Sequence, residues 1–281
     1  MKVRILITIG ILFCLACQAQ VVDCCELEQE TVIATVPLYI FAGQSNMGRS
    51  VMSEMTASEV TAYDQTYTDV KMYNVRAGSS FADLNIGSNT YLDNATEFGA
   101  EASFIKNLQT YNSGEKYLLK HGVGNTAIQY WLTTGYTNLI NGVADAVSEM
   151  AAAGKYPRLA AFYWMQGEND ATNSTTAANY GTNLSSFFTR FKISFDSIMN
   201  VNGFDVRWDW CKVIGRIGNN NVAIQPYNAD VRAAQEAFCA NASNNAILID
   251  TDDLPLKDLV HYSATGQITL GERIFNQIKG R

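Results

Sequence analysis

The sequence predicts a three-layer α/β/α sandwich built around a central parallel sheet of about five strands. Two observations carry this prediction. Short apolar runs end at glycine or polar residues, as strands buried on both faces do, and stretches with helical spacing alternate with these runs. Strands that alternate with helices form βαβ units, which build a parallel sheet with helices on both faces. Of the 281 residues, 47% are hydrophobic and 17% charged, a balance typical of a globular protein.

The elements follow one another in a regular order along the chain. The predicted strands lie at 38–42, 116–120, 159–165, 212–217 and 246–250. Helical patterns precede the later strands and follow the last one, near 97–110, 138–153, 178–200, 227–240 and 264–279. In sheets of this kind the reactive groups collect at the carboxyl ends of the strands, so the candidate residues are sought there.

The start of the chain has the pattern of a signal peptide. Residues 1–19 combine a basic beginning at Lys2 and Arg4, an apolar run and small residues at a cleavage position. The run is shorter than the roughly 20 apolar residues that a bilayer core requires, so we expect no stable membrane span. Residues 20–36 are predicted to be a linker and 37–281 a single domain. A secreted or periplasmic location follows, with a lipid-anchored form as an open alternative.

Charge and cysteine content limit the partners. The net charge is −7, and loss of Lys2 and Arg4 with the signal peptide makes it more negative. Phosphate binding needs clustered cations, and none are present, so nucleic acid is excluded as a partner. In an oxidising compartment, Cys211 and Cys239 can form a disulfide or stay as thiols, and the sequence leaves both possibilities open.

A serine follows the first predicted strand. Ser45 lies in Gly43-Gln44-Ser45-Asn46-Met47-Gly48, and glycines on either side allow a tight turn that exposes its hydroxyl above the sheet. Such a position suits a nucleophile whose reaction creates an oxyanion, since a helix N-terminus then points at it. The alternative is a serine that only caps a helix.

A serine nucleophile needs a base, and the chain contains two histidines, His121 and His261. His261 lies three residues after Asp258, which places the carboxylate and the imidazole on the same side of a turn. Asp258 can then hold the ring tautomer and stabilise the imidazolium. His121 has no acid so near and is interpreted as structural or substrate-facing. A surface role for His261 is the alternative.

Two further segments end predicted strands. In Trp164-Met165-Gln166-Gly167-Glu168-Asn169-Asp170, the Gln166 amide is a candidate oxyanion donor and Glu168 a second candidate for the acid. In Gly122-Val123-Gly124-Asn125-Thr126, glycine lets a backbone N–H approach the same oxyanion. Either segment can also be a polar loop. The aromatic residues Tyr130, Trp131, Trp208 and Trp210 can stack on sugar rings or belong to the core, and core is the preferred interpretation.

Together, the motifs Gly-Gln-Ser-Asn-Met, Trp-Met-Gln-Gly-Glu-Asn-Asp and Asp-Leu-Val-His resemble the SGNH hydrolase superfamily, whose fold is flavodoxin-like. The closest similarity is to its carbohydrate esterase branch, which contains acetylxylan esterases of carbohydrate esterase family six and sialate O-acetylesterases. The resemblance spans residues 37–279. Two departures are present: Gly124-Asn125-Thr126 stands where relatives usually have Gly-Gly-Thr, and Asn169 stands where serine is commoner.

The resemblance implies a set of roles. Ser45 would be the nucleophile, Asp258 and His261 would complete the triad, and Glu168 would be a possible alternative acid. The oxyanion hole would be formed by Ser45, Gly124 and Gln166, with no metal and no cofactor. The substrate would be an acetylated oligo- or polysaccharide, and the segment after His261 favours an acetylxylan-like one. A sialate O-acetylesterase, a broader short-chain esterase or lipase, and a non-catalytic carbohydrate-binding protein are the alternatives.

Overall fold

A seven-stranded sheet forms the centre of the domain in a computed structural model that describes residues 34–78, 80–206, 209–219 and 223–280. The spatial order is β4-β3-β6-β1-β7-β8-β9, and all pairings are parallel except the antiparallel β3-β4 pair. A separate two-stranded antiparallel sheet pairs β2 with β5. The strands are β1 Ala34–Gly43, β2 Ser50–Val51, β3 Thr66–Asn74, β4 Ala82–Asn85, β5 Glu97–Phe98, β6 Lys116–Gly122, β7 Lys155–Met165, β8 Cys211–Gly215 and β9 Ala246–Ile249.

Seven α-helices in the described ranges pack in two groups. The helices are α1 Ala57–Tyr63, α2 Glu101–Tyr111, α3 Ile128–Trp131, α4 Thr134–Ala152, α5 Ser174–Val201, α6 Asn228–Ala240 and α7 Ala264–Ile278. One group joins α1, α2 and α7, and the other joins α3, α4, α5 and α6. Helices on the two faces of a mostly parallel sheet make the three-layer α/β/α sandwich, which confirms the predicted fold class.

The central strands are apolar because both of their faces are covered. Every residue of β6 is buried, and in β1 the run Leu38–Ala42 is buried throughout. β1 lies between β6 and β7, with Gly43 opposite Gly122 on one side and Met165 on the other. The carboxyl ends of these three strands therefore meet at one edge of the sheet, where the predicted site residues follow them.

The number of strands differs from the prediction of about five. All five predicted strands are present, and β3 and β4 extend the sheet to seven. β3 carries Asp69 and Lys71 among its apolar residues, and β4 is a short edge strand that starts at Ala82. Neither segment forms the continuous apolar run by which a strand buried on both faces is identified. β1 begins at Ala34, ahead of the predicted start of the domain at residue 37.

Several other predictions concern side chains of the core. Trp131 and Trp210 are fully buried and Tyr130 is half-buried, whereas Trp208 lies outside the described residues. Cys211 and Cys239 are thiols and form no disulfide here. Burial, followed by the charge of Cys211, raises the pKa of the Cys239 thiol to about 12.

The predicted signal peptide at 1–19 and most of the predicted linker at 20–36 also lie outside the described residues.

Two features are absent from the part of the chain that the structure describes. No helix there combines the length and the apolar character needed to cross a bilayer. No group of three or more His, Cys, Asp or Glu side chains there is arranged to hold a metal ion.

Candidate active site

The segment that carries Ser45 leaves the sheet at the end of β1. The Gln44 N–H donates to the Met165 carbonyl at 2.8 Å, and residues 45–47 form one turn of 3₁₀ helix. Gly43 has a φ of +150°, and a Cβ at this position would collide with the Met165 carbonyl. Because only glycine fits, the two strands can end in close contact and the chain can turn sharply into Ser45.

Ser45, His261 and Asp258 form a continuous hydrogen-bonded relay. His261 Nε2 lies 2.9 Å from Ser45 Oγ, and His261 Nδ1 lies 2.8 Å from Asp258 Oδ2. The serine is buried, whereas the histidine and the aspartate side chains are partly exposed. This is the arrangement in which an imidazole can take the proton of a serine hydroxyl while a carboxylate holds its other nitrogen.

Asp258 is fixed by the backbone of its own turn. Its Oδ1 accepts hydrogen bonds from the backbone N–H groups of Val260 at 2.8 Å and His261 at 2.7 Å. Partial burial raises the pKa of Asp258, but these two backbone bonds and the His261 side chain outweigh burial and hold that pKa below its usual value. Asp258 therefore stays ionised next to the imidazole.

Asn46 connects three parts of the site. Its Nδ2 donates to Glu168 Oε1 at 2.6 Å and to the Val260 carbonyl at 3.1 Å, and its Oδ1 accepts from the Tyr262 N–H at 3.1 Å. Val260 and Tyr262 flank His261 in the chain. One side chain next to the serine thus holds the backbone on both sides of the histidine.

Glu168 lies beside this arrangement without bonding to His261. Its side chain is 4% exposed, its Oε1 accepts from Asn46, and its Oε2 has no partner among the described residues. Burial raises the pKa of Glu168 above its usual value, against the lowering effect of the Asn46 hydrogen bond. The carboxylate in contact with the imidazole is that of Asp258.

Gln166 does not occupy the position predicted for an oxyanion donor. Its side chain is fully buried, and its Nε2 donates to Asp170 Oδ2 at 2.6 Å and to the Thr126 carbonyl at 2.9 Å. An amide with two protons that are already bonded has none left for an oxyanion. Gln166 joins the loop after β7 to the turn after β6, and its role as an oxyanion donor stays a prediction that these contacts do not support.

The turn after β6 reaches the site through Asn125. Asn125 has a left-handed φ of +57° and lines the cavity at Ser45, and its carbonyl accepts from Asn169 Nδ2 at 2.9 Å. Gly124 does not line this cavity and instead packs against the Arg49 guanidinium. The Gly124 N–H donates no hydrogen bond within the described ranges.

A cavity of about 370 Å³ opens over the serine. Its polar lining includes Gln44, Arg49, Asn125 and Asn169, and its apolar lining includes Ile224 and Val260. Gln44 Oε1 accepts the backbone N–H groups of Gly167 at 3.3 Å and Asn169 at 3.4 Å, so it holds the loop after β7 in place.

The sequence motifs predicted no role for Gln44, Asn46, Arg49 or Asn125. The available signal was that Gln44, Asn46 and Asn125 lie within the two strand-end motifs and that Arg49 directly follows the first. Their partners are far away in the sequence, as in the Asn46–Val260 bond, which spans 214 positions.

The fold and this geometry together define a class. In a mostly parallel α/β/α sandwich, a serine follows the central strand β1 and contacts a histidine that lies three residues after its aspartate, which is the arrangement of the SGNH-type hydrolases.

Comparison with known proteins specifies the family. Residues 35–279 match the family described as "Carbohydrate esterase, sialic acid-specific acetylesterase", and the chain belongs to this family of carbohydrate acetylesterases. No curated protein is significantly similar to it in sequence.

Solved structures share the fold at low identity. A protein from Arabidopsis thaliana is 18% identical with a TM-score of 0.65, and the match covers 86% of this chain and 97% of that one. NanS is 13% identical with a TM-score of 0.64, covering 88% and 97%. An acetylxylan esterase from Geobacillus stearothermophilus is 12% identical with a TM-score of 0.51, covering 89% and 97%.

Proposed function

We propose that the chain is a secreted serine esterase that removes O-acetyl groups from a polysaccharide, in the manner of an acetylxylan esterase, through an acetyl-serine intermediate. The observation that carries the proposal is the relay from Ser45 Oγ through His261 to Asp258, with both contacts below 3 Å. The signal-peptide pattern of residues 1–19 supports secretion.

The reaction has two steps. Ser45 Oγ attacks the acetyl carbonyl carbon while its proton passes to His261 Nε2, and the tetrahedral intermediate then expels the sugar oxygen, which takes that proton. A water molecule gives a proton to His261 and attacks the acetyl-serine. The second tetrahedral intermediate breaks the bond to Oγ, which recovers the proton, and acetate leaves. The two proton transfers between Ser45 and His261 use the 2.9 Å contact between Oγ and Nε2.

The oxyanion needs donors that are not already bonded. The backbone N–H of Ser45, which lines the cavity, donates no hydrogen bond within the described ranges, and this supports Ser45 as a donor. The Gly124 N–H is also without an acceptor among the described residues, but Gly124 does not line the cavity, so its role stays a prediction. Asn125 lines the cavity, and its side-chain amide has no partner in the described part of the chain. Asn125 is therefore the proposed side-chain donor to the oxyanion, the role that the sequence assigned to Gln166.

The catalytic cavity supports a small acyl group. Val260 and Ile224 provide its apolar lining beside the serine, whereas the rest of the named lining is polar and suits a sugar. A sialate O-acetylesterase is the second candidate. The description of the matched family favours it. Arg49 lines the cavity and shares Asp93 with Arg76, so two guanidinium groups face one carboxylate, and the remaining positive charge suits the carboxylate that sialic acids carry.

Replacement of the nucleophile tests the proposal. Ser45→Ala should abolish acetate release from p-nitrophenyl acetate and from acetylated xylan, and the variant should keep the wild-type circular dichroism spectrum. A fluorophosphonate should label the wild-type chain and leave the variant unlabelled. Substantial turnover by a folded Ser45→Ala variant would refute the mechanism.

A substrate panel tests the specificity. Acetate release is compared on acetylated xylan, mannan and pectin and on O-acetylated sialic acid, and acetyl esters are compared with octanoyl esters. We expect xylan to be the best of the polysaccharides and octanoyl esters to be poor. Preference for the sialic acid would establish the second candidate, and preference for octanoyl esters would indicate a lipase-like enzyme.

A further inference from the structure

A second cavity, of about 450 Å³, lies at the same edge of the sheet as the catalytic one. Tyr73 and His121, from the last residues of β3 and β6, line it, and β6 is the direct neighbour of β1. His121 is paired with Ala42, three positions before Ser45. With about 4.8 Å between strands and about 3.3 Å per residue, the backbones of His121 and Ser45 lie at most about 15 Å apart.

One carboxylate bridges the two cavities. Asp93 Oδ2 lies 2.8 Å from Arg49 Nη2, and Asp93 Oδ1 lies 2.8 Å from Arg76 Nη2. Arg49 lines the catalytic cavity and Arg76 lines the second one. The two cavities are therefore neighbours, joined by the Arg49–Asp93–Arg76 ion pairs.

The wall of the second cavity has the chemistry of a sugar site. Asn138, Asn141 and Asp145 lie on one side of α4, at spacings of three and four residues. The two amide side chains have no partner among the described residues, and Asp145 Oδ2 lies 3.5 Å from the Tyr73 hydroxyl. Amides both donate and accept, as hydroxyl groups do, and the half-buried ring of Tyr130 offers a flat surface.

His121 adds an independent observation. Its side chain is 3% exposed, it lines this cavity, and neither ring nitrogen has a partner among the described residues. Burial, followed by the charge of Arg76, lowers the pKa of His121 to about 4, so the ring is neutral at pH 7. A neutral imidazole has one N–H donor and one nitrogen acceptor. Hydroxyl groups of a ligand can accept from the first and donate to the second.

The charges around the cavity favour an uncharged ligand. Of the described residues that line it, Arg76 and Asp145 are charged, one of each sign, and His121 is neutral at pH 7, so the lining has no net charge. A lining without net charge gives an acidic sugar no electrostatic advantage over a neutral one.

We propose that this cavity is a second carbohydrate subsite, which binds a neutral sugar residue of the same chain whose acetylated residue occupies the catalytic cavity. The inference rests on the proposed function, because it assumes a polymeric carbohydrate substrate. It adds that the enzyme recognises its substrate as a chain of neutral sugars and not as a single acetylated unit.

Binding without turnover tests the subsite directly. In the full chain carrying Ser45→Ala, xylohexaose, mannohexaose and an acidic oligogalacturonide are titrated by calorimetry. The additional double substitution Asn138→Ala and Asn141→Ala should weaken binding of the neutral oligosaccharide by about tenfold or more, since two hydrogen bonds are lost. Ser148→Ala, exposed on the same helix but outside the cavity, is the matched control and should bind as its parent does.

Kinetics in the active enzyme provide the second measurement. With the double substitution, kcat/KM on acetylated xylo-oligosaccharides, divided by kcat/KM on p-nitrophenyl acetate, should fall by about tenfold or more, mainly through KM. Thermal unfolding checks that each variant is folded.

Three results would overturn the subsite: no binding of either neutral oligosaccharide at millimolar concentration, equal binding by the double variant and its parent, or tighter binding of the acidic oligosaccharide. Failure of the proposed function would instead appear as a wild-type enzyme that releases no acetate from any acetylated carbohydrate. The binding measurement is independent of that outcome.

Discussion

Isosteric neutralisation of the two carboxylates near His261 distinguishes their roles. Asp258 contacts His261 Nδ1 at 2.8 Å, whereas Glu168 contacts Asn46 at 2.6 Å and makes no hydrogen bond to the histidine. We therefore predict that Asp258→Asn is far more damaging to catalysis than Glu168→Gln, although both substitutions replace a carboxyl group with an amide of the same shape.

The magnitude follows from the geometry at Nδ1. In Asp258→Asn, one oxygen can still accept the backbone N–H groups of Val260 and His261, so the amide NH₂ must face the imidazole. The amide then donates to Nδ1, so the ring proton must lie on Nε2, which faces Ser45. Nε2 in this tautomer cannot accept the hydroxyl proton. Loss of the correct tautomer in a serine triad lowers kcat by about 10⁴, or about 5 kcal/mol in the activation free energy.

Glu168→Gln should lower kcat less, because the one hydrogen bond described for this side chain, from Asn46, survives. The glutamine carbonyl accepts from Asn46 Nδ2 as the carboxylate does, so the segment that holds His261 stays in place. Because burial already raises the pKa of Glu168, removal of its charge is less costly than at Asp258. We expect a decrease in kcat of less than about tenfold, since a hydrogen bond is weakened and not lost.

The assay is the initial rate of acetate release from p-nitrophenyl acetate at pH 7, with active protein quantified after a thermal-unfolding check. The ratio of the two kcat values should be about 10³ or more in favour of Glu168→Gln. Equal losses, or a larger loss in Glu168→Gln, would contradict the argument and identify Glu168 as the main acid partner.

Three further predictions concern the surroundings of the relay. Asn46→Ala should lower kcat for acetate release by about tenfold to a hundredfold, because the backbone on both sides of His261 loses its hydrogen bonds to Asn46. An unchanged kcat would contradict a positioning role for Asn46. Lys120→Met leaves Glu101, its fully buried partner at 2.6 Å, without a cation. Chemical denaturation should therefore give a free energy of unfolding lower by about 3–5 kcal/mol, and a loss below 1 kcal/mol would be inconsistent with this account. His121 has a pKa lowered from 6.5 to about 4, so unfolding takes up a proton between these values and stability falls as the pH drops through them. Between pH 7 and pH 4, the stability of the wild type relative to His121→Gln should decrease by about 3 kcal/mol, and parallel pH profiles would contradict the neutral ring.

The relay residues could be predicted because their signals are local. Asp258 and His261 are three positions apart, and the chain contains two histidines, so the choice of base was narrow. The apolar run before Ser45 located the end of the central strand. The structure then brings Ser45 and His261 to 2.9 Å across 216 positions.

The direction of the Gln166 side chain could not be predicted in the same way. A strand-end glutamine next to a catalytic serine has the right chemistry for an oxyanion donor, but two competing acceptors decide where it points. The Thr126 carbonyl lies 40 positions away in the sequence, and Asp170 is itself held by the backbone N–H of Ile128. Only the packed fold brings these groups together.

The extra strands were missed for a different physical reason. β3 contains Asp69 and Lys71 because one of its neighbours is the edge strand β4, and a partly solvated position tolerates charge. The prediction relied on continuous apolar runs, so it identified the strands buried on both faces and did not detect the polar side of the sheet.

The placement of β1 has a consequence for biosynthesis. Both neighbours of this strand, β6 and β7, come much later in the sequence, and His261, the histidine that contacts Ser45, comes later still. While the polypeptide is being synthesised, the Ser45 hydroxyl group has neither the completed central sheet nor the His261 imidazole next to it. A nascent chain therefore has no esterase activity, and an enzyme exported before folding would first become active at its destination.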